Sequence, residues 1–147
     1  MHLFRSLDRL VTMFFLILLC VQCSSKHDKA SVEAAMQHYN NLILSMNADS
    51  ISLFYSPDGN LGEIALGRDS IRAFLFSFKG FKVLSQASST KRIEISGDSA
   101  WQQGNYFQTA ITPNRDTLRV KGEFTAHWIW IPHQEWRIKK MVTRSMH

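Results

Sequence analysis

The hydrophobic period of this chain changes once, and that change limits the folds open to it. Up to Gly80, apolar residues recur at helical spacing; beyond Gly80 they alternate. Helices first and strands afterwards is the order of an α+β fold, with helices gathered on one face of a curved antiparallel sheet. In "SVEAAMQHYNNLILSMNAD" the residues Val32, Ala35, Met36, Tyr39, Leu42, Ile43 and Met46 share one helical face. Ser31 can cap the start, and Glu33 stands in the first turn, where the helix dipole favours a carboxylate. Asp49 or Ser50 caps a short second helix, "SISLFYS", which Pro57 ends. "PDGN" reads as a turn. A third helix in "GRDSIRAFLFSF", capped by Asp69, buries Ile71, Phe74, Leu75 and Phe78.

The second half reads as strands. "FKVLSQASS" and "KRIEIS" come first, then "AWQQGNYFQTAIT", which "PNRD" ends. "TLRVKGEFTAHWIWI" follows, and "PHQE" makes a hairpin into "WRIKKMVTRS". Alternation sorts the penultimate strand into two faces. Val120, Gly122, Phe124, Ala126, Trp128 and Trp130 form an apolar face that packs helices. Arg119, Lys121, Glu123, Thr125, His127 and Ile129 form a mixed face that meets solvent or a second subunit. Gly104 and Gly122 are expected at bends or bulges where the sheet curls.

The N-terminus follows a different rule. In "MHLFRSLDRLVTMFFLILLCVQCSSKHDK", Arg5 and Arg9 precede an uncharged apolar run from Leu10 to Cys20, and polar residues follow. That is the pattern of a secretory signal peptide, and the run is short for a membrane span. The expected organisation is a signal peptide over residues 1–23, a tether over 24–30 and one domain over 31–147. Cys20 and Cys23 are the only cysteines, so the domain has no disulfide and is held by packing alone. "LLCVQC" before "SSKHDK" resembles a bacterial lipoprotein signal, which implies lipidation at Cys23; plain signal-peptidase cleavage is the alternative. The expected location is the bacterial cell envelope, with membrane contact only through that lipid.

Charge and motif content exclude several functions. The net charge is +5 over 147 residues, dispersed with no basic run, so a nucleic-acid partner is not expected. There is no Gly-rich phosphate loop, and no cofactor is implied. The six histidines show no metal-ligand spacing, and no nucleophile elbow supports serine catalysis.

Five segments carry a resemblance: "LFYSPDG", "GRDSIRAFL", "GDSAWQQGNY", "KGEFTAHWIW" and "EWRIKKM". In their order and spacing, across about residues 31 to 145, the chain resembles the nuclear transport factor 2-like superfamily, and within it the SnoaL-like and ketosteroid-isomerase-like proteins. The resemblance implies a cone: a strongly curved antiparallel sheet packed on three N-terminal helices, with a pocket between. It also implies a homodimer through the outer sheet face. Relatives include isomerases, dehydratases, cyclases and binding modules, so the fold leaves the chemistry open.

An isomerase-like site needs a carboxylate base and a hydrogen-bond donor in a dry pocket. The resemblance places the base five residues beyond Asp58, at Glu63, and Tyr39 or His38 are the candidate donors. The isomerase triad is not reproduced, because the tyrosine position falls near Asn41 and "TAHWIWI" holds no Asp. The expected pocket lining is Tyr39, Tyr55, Phe74, Phe124, Trp128, Trp130 and Trp136. Plainer roles compete with these: Tyr39 and the tryptophans as core, Glu63 as a solvated loop carboxylate, His127 as a surface or interface residue. The first reading is therefore a non-catalytic domain binding a small apolar or amphiphilic ligand. An isomerase- or dehydratase-like enzyme is second, and a structural lipoprotein that assembles through its sheet is third.

Overall fold

The computed structural model describes residues 27–146. The expected leader with Cys23 and the tether residues 24–26 lie outside that range. Among the described residues, three helices precede most of the strands. Helix α1 spans Lys29–Ser45 and is capped by Asp28, whose carboxylate accepts the Ser31 N–H at 2.8 Å. The cap is therefore Asp28 rather than Ser31, and the last two expected tether residues belong to the helix. Helix α2 spans Ala48–Leu53; Asn47, not Asp49 or Ser50, caps it by accepting the Ser50 N–H at 2.9 Å. It closes at Phe54, before Pro57 is reached. Helix α3 spans Arg68–Phe76 and is entered through Gly67, whose φ of 81° suits glycine. Asp69 sits in the first turn instead of capping it, and Phe78 falls beyond the helix.

Six strands form one sheet: β1 Tyr55–Leu61, β2 Ala65–Leu66, β3 Lys82–Ser96, β4 Ser99–Ile111, β5 Thr117–Ile131 and β6 Glu135–Ser145. Their order is β2-β1-β6-β5-β4-β3. The architecture is α+β, as expected, but the sheet is mixed rather than antiparallel, because β1 runs parallel to β6. This corrects the reading of "PDGN" as a turn. Those residues lie in β1, which pairs with β6 at Tyr55 and again at Asn60 and Leu61, with a register shift between. Pro57 offers no N–H to a ladder, and the shift leaves that position unpaired. The two expected strands before Gly97 are one, β3, irregular between Val83 and Ser85 and between Thr90 and Arg92. Thr90 pairs with Gly104, so a bulge does lie opposite that glycine.

The core lies between the helices and the inner sheet face. Val32, Met36 and Ile43 of α1, Ile51 of α2 and Ile71 of α3 meet Phe124, Ala126 and Trp128 of β5 and Trp136 and Ile138 of β6. Each such large side chain contributes about 1.5–3 kcal/mol when fully buried. Polar contacts also tie α1 to the sheet, at Glu33 and Asn40, two turns apart on one helix face. The Thr90 hydroxyl donates to Glu33 Oε2 at 2.6 Å, and Gln102 Nε2 reaches the same oxygen at 3.0 Å. Gln102 is wholly buried, and its Oε1 accepts the Trp128 indole N–H at 3.0 Å.

Candidate functional site

A cavity of about 240 Å³ opens between α1, α3 and the inner sheet face. The helices supply Met36, Tyr39, Asn40, Ile43, Phe74 and Leu75. The sheet supplies apolar Leu61, Val120, Phe124 and Met141, and polar Gln86, Ser88, Gln108, Tyr106 and Thr143. The helix side follows from the 3.6 period: Met36, Asn40 and Ile43 fall on one stripe. The sheet side follows from the period of two: Gln86 and Ser88 share a face of β3, and Thr90 continues it toward Glu33.

The polar strip is organised around Asn40, only 3% exposed. Its Nδ2 donates to Ser88 Oγ at 2.8 Å, and its Oδ1 accepts from Gln86 Nε2 at 3.3 Å. Beside it, the hydroxyls of Tyr39 and Tyr55 share a hydrogen bond of 3.0 Å. Tyr39 borders the cavity, and Tyr55 sits fully buried behind it. Burial raises the pKa of both phenols, Tyr55 well above the usual value, with the nearby Tyr39 adding to the Tyr55 shift. Both are neutral hydrogen-bonding groups at physiological pH. A raised folded pKa stabilises the fold fully below the unfolded value near pH 10 and is lost as pH climbs toward the folded value. Alkaline unfolding is thus expected to set in above about pH 10. Far-UV dichroism should show Tyr55→Phe, although less stable at neutral pH, declining less steeply above that point. An equal decline in both proteins would remove the phenol pair as the cause.

The three candidate catalytic residues do not converge. Tyr39 borders the cavity. His38 is exposed on another flank of α1, its ring 5.0 Å from that of Phe54. Glu63 is exposed in the turn after β1 and lines a shallow outer groove with Lys140 and Arg144. Of the expected lining, Tyr39, Phe74 and Phe124 border the cavity. Tyr55 and Trp128 are core, with no exposed surface. Trp136, buried except for 2%, and the half-buried Trp130 wall a different cleft. The tryptophans pack toward the hairpin end, because the Trp130–Trp136 pair is clamped there by edge contact at 5.5 Å. Sequence reasoning passed over Asn40, Gln86, Ser88 and Gln102. The available signal was a polar residue on an apolar stripe, at Asn40, and Gln102 between Ala100 and Gly104 on the inner face.

No carboxylate, imidazole, ammonium or guanidinium lines this cavity among the described residues. Nor do three His, Cys, Asp or Glu side chains gather as metal ligands would. On the opposite sheet face His127 stacks on Trp101 at 4.2 Å and shares a hydrogen bond with Ser99 at 2.8 Å. Burial, and then the charge of Lys139, hold its pKa below the usual imidazole value.

No family model matches the sequence, and no curated protein matches it. Solved structures do resemble it. A ketosteroid isomerase-like protein from Erwinia carotovora atroseptica is 18% identical, with a TM-score of 0.70 over 80% of this chain and 95% of that one. A nuclear transport factor 2-like superfamily protein from Salmonella enterica is 18% identical, with a TM-score of 0.67 over 81% and 91%. ActVI-ORFA from Streptomyces coelicolor is 12% identical, with a TM-score of 0.67 over 80% and 97%. At these identities the likeness establishes the fold and leaves the chemistry to the site.

Proposed function

We propose that this nuclear transport factor 2-like fold serves as an exported, non-catalytic receptor for a small, uncharged, largely apolar molecule carrying one or two hydrogen-bonding groups. The observation that carries the reading is the lining itself: apolar walls around a strip of neutral amides and hydroxyls. A charged ligand desolvated there would find no counter-charge, which costs several kcal/mol. The cavity is below the roughly 300–1,000 Å³ of sites for drug-sized molecules, so the ligand is small. Export and acylation at Cys23 belong to the same proposal and rest on the pattern of residues 1–23. A homodimer through the outer face, where Trp101 and Phe107 stand about half exposed, is its third part.

A second reading is an isomerase- or dehydratase-like enzyme, favoured by the Tyr39–Tyr55 hydroxyl pair at the cavity wall and by the fold shared with a ketosteroid isomerase-like protein. Native mass spectrometry of the protein purified from cells expressing the full chain separates the two. The expected result is a retained small molecule, lost on Val120→Trp, which fills the cavity, and kept on Glu63→Gln. The same masses report the dimer and any diacylglyceryl group at Cys23. Turnover of the retained molecule that collapses in Tyr39→Phe would replace the receptor reading with the enzyme.

A further inference from the structure

Charges dispersed along the sequence are gathered by the fold at one end of the molecule. The turn from α3 into β3 and the turn from β4 into β5 meet there: a Cβ at Gly80 would stand 3.5 Å from Pro113 Cγ. Lys82 pairs with Ile111, and Ile111 with Thr117, so both turns lie at the same end of the strands. They present the exposed cations Lys79, Lys82 and Arg115, and Arg119 stands just beyond, near the start of β5. No ion pair among the described residues includes any of these four.

Carboxylates are scarce around them. From Ser70 to Ile93 the sequence holds no Asp or Glu. Asp49, which borders the groove beside the α3–β3 turn, is bonded to the Arg72 guanidinium. Asp116 is the remaining acidic side chain of the two turns. Apolar side chains stand among the cations: Phe76 is 58% exposed, Leu84 50% and Leu118 43%. The Lys79 ammonium lies over the Phe76 ring, 5.6 Å from its centroid. The α3–β3 turn is braced from beneath, where Phe78 meets Phe74 edge-on at 5.2 Å and Phe81 at 5.5 Å.

Unpaired cations and exposed apolar groups on one surface suit a partner that is anionic and apolar at once. A bilayer with acidic headgroups is such a partner, charged at its face and apolar one layer below. We infer that this end of the domain docks on the surface of an anionic lipid bilayer. Lys79, Lys82, Arg115 and Arg119 lie among the headgroup phosphates, and Phe76, Leu84 and Leu118 reach the acyl boundary. A nucleic acid would satisfy the cations through its phosphates but leave the two leucines without an apolar partner. The contact is peripheral: no helix among the described residues is long and apolar enough to cross a membrane. It is additional to any lipid at Cys23, and rests neither on acylation nor on the reading given to the cavity.

The test is co-sedimentation of the full chain with vesicles of phosphatidylcholine, with and without phosphatidylglycerol as about a third of the lipid. The anionic vesicles are expected to bind the protein about tenfold more tightly or better, and added salt to remove that advantage. Lys79→Gln and Arg115→Gln should each weaken binding to anionic vesicles about fivefold, the equivalent of about 1 kcal/mol per basic residue. Phe76→Ser should weaken it severalfold with the charge unchanged. Lys140→Gln, the same charge change placed opposite His127 and away from this end, should leave it within about twofold. All four positions are exposed, so the variants fold, as far-UV dichroism will verify. The N-terminal apolar run is common to every variant, so differences between variants and between the two lipids report on the domain. Absence of binding, equal binding to both kinds of vesicle, or equal loss in Lys140→Gln and Lys79→Gln would overturn the inference. Tighter binding to a single-stranded oligonucleotide than to anionic vesicles would assign this end to nucleic acid and overturn it as well.

Discussion

Trp128→Ala is expected to cost about 3–5 kcal/mol, the range for removing a large aromatic from a packed core. Trp128 has no exposed surface, and its ring meets Phe54 edge-on at 6.1 Å. Stability of an ordinary domain is about 5–15 kcal/mol, so the variant would sit near the limit of folding. Trp128→Phe isolates the polar part. The phenyl ring retains most of the apolar contact but leaves Gln102 Oε1 without its donor, for about 1–3 kcal/mol. Adding Gln102→Leu should not restore the loss in full. Gln102 also donates to Glu33 and to Thr90, so the leucine leaves a carboxylate and a hydroxyl short of a donor. Urea unfolding followed by far-UV dichroism measures all three, because the fluorophore itself is being changed. Full recovery in the double variant would show that the Trp128–Gln102 contact stands alone and that α1 is not coupled to the sheet through it.

That chain of contacts marks the boundary of what was legible in the sequence. The period switch at Gly80 located the helices and the strands after it, and alternation along β5 sorted Phe124, Ala126 and Trp128 to the buried face. These signals are local and repeat many times. The first strand was not legible, because Pro57 and Gly59 suppress strand propensity. It forms anyway, since β6 offers an edge on which only Tyr55, Asn60 and Leu61 need to pair. The cavity was half legible. Tyr39, Phe74 and Phe124 belong to apolar patterns, whereas Gln86 and Ser88 look like a solvated strand face. Only the packing of α1 over β3 turns that face inward, and Asn40 is the residue that meets it. The offset from Asp58 singles out Glu63 in the sequence. The connection from β1 to β2 is a tight turn, from Gly62 to Ile64, so the side chain ends outside.

Gly104 and Gly122 were expected to mark bends, and the register shows what they permit. Gly104 of β4 pairs with Phe124 of β5, and Gly122 of β5 pairs with Tyr106 of β4. Each glycine thus faces an aromatic residue across the ladder, and the two pairs exchange roles between strands. A ring opposite a glycine can lie down over the bare backbone, as aromatic rescue of sheet glycines describes. Phe124 and Tyr106 both line the cavity, so lowered rings and open volume go together. A Cβ at Gly104 would stand 2.2 Å from the Ser89 carbonyl oxygen and 2.8 Å from Phe124 Cε1. At Gly122 it would stand 2.3 Å from the Arg144 carbonyl oxygen and 2.6 Å from Tyr106 Cε1. Neither contact to main chain is relieved by a rotamer change. Gly104→Ala and Gly122→Ala are therefore each expected to cost about 1–3 kcal/mol or more from overpacking, and to weaken any cavity ligand as the rings are pushed up. The informative variant is Gly122→Ala with Tyr106→Ala. The ring obstacle is then gone while the Arg144 carbonyl remains, so urea unfolding should still show a clear loss relative to Tyr106→Ala alone. If that loss disappears, the glycine serves the ring only. The close approach of β5 to β6 would then have to be maintained by the bulge between His127 and Trp128.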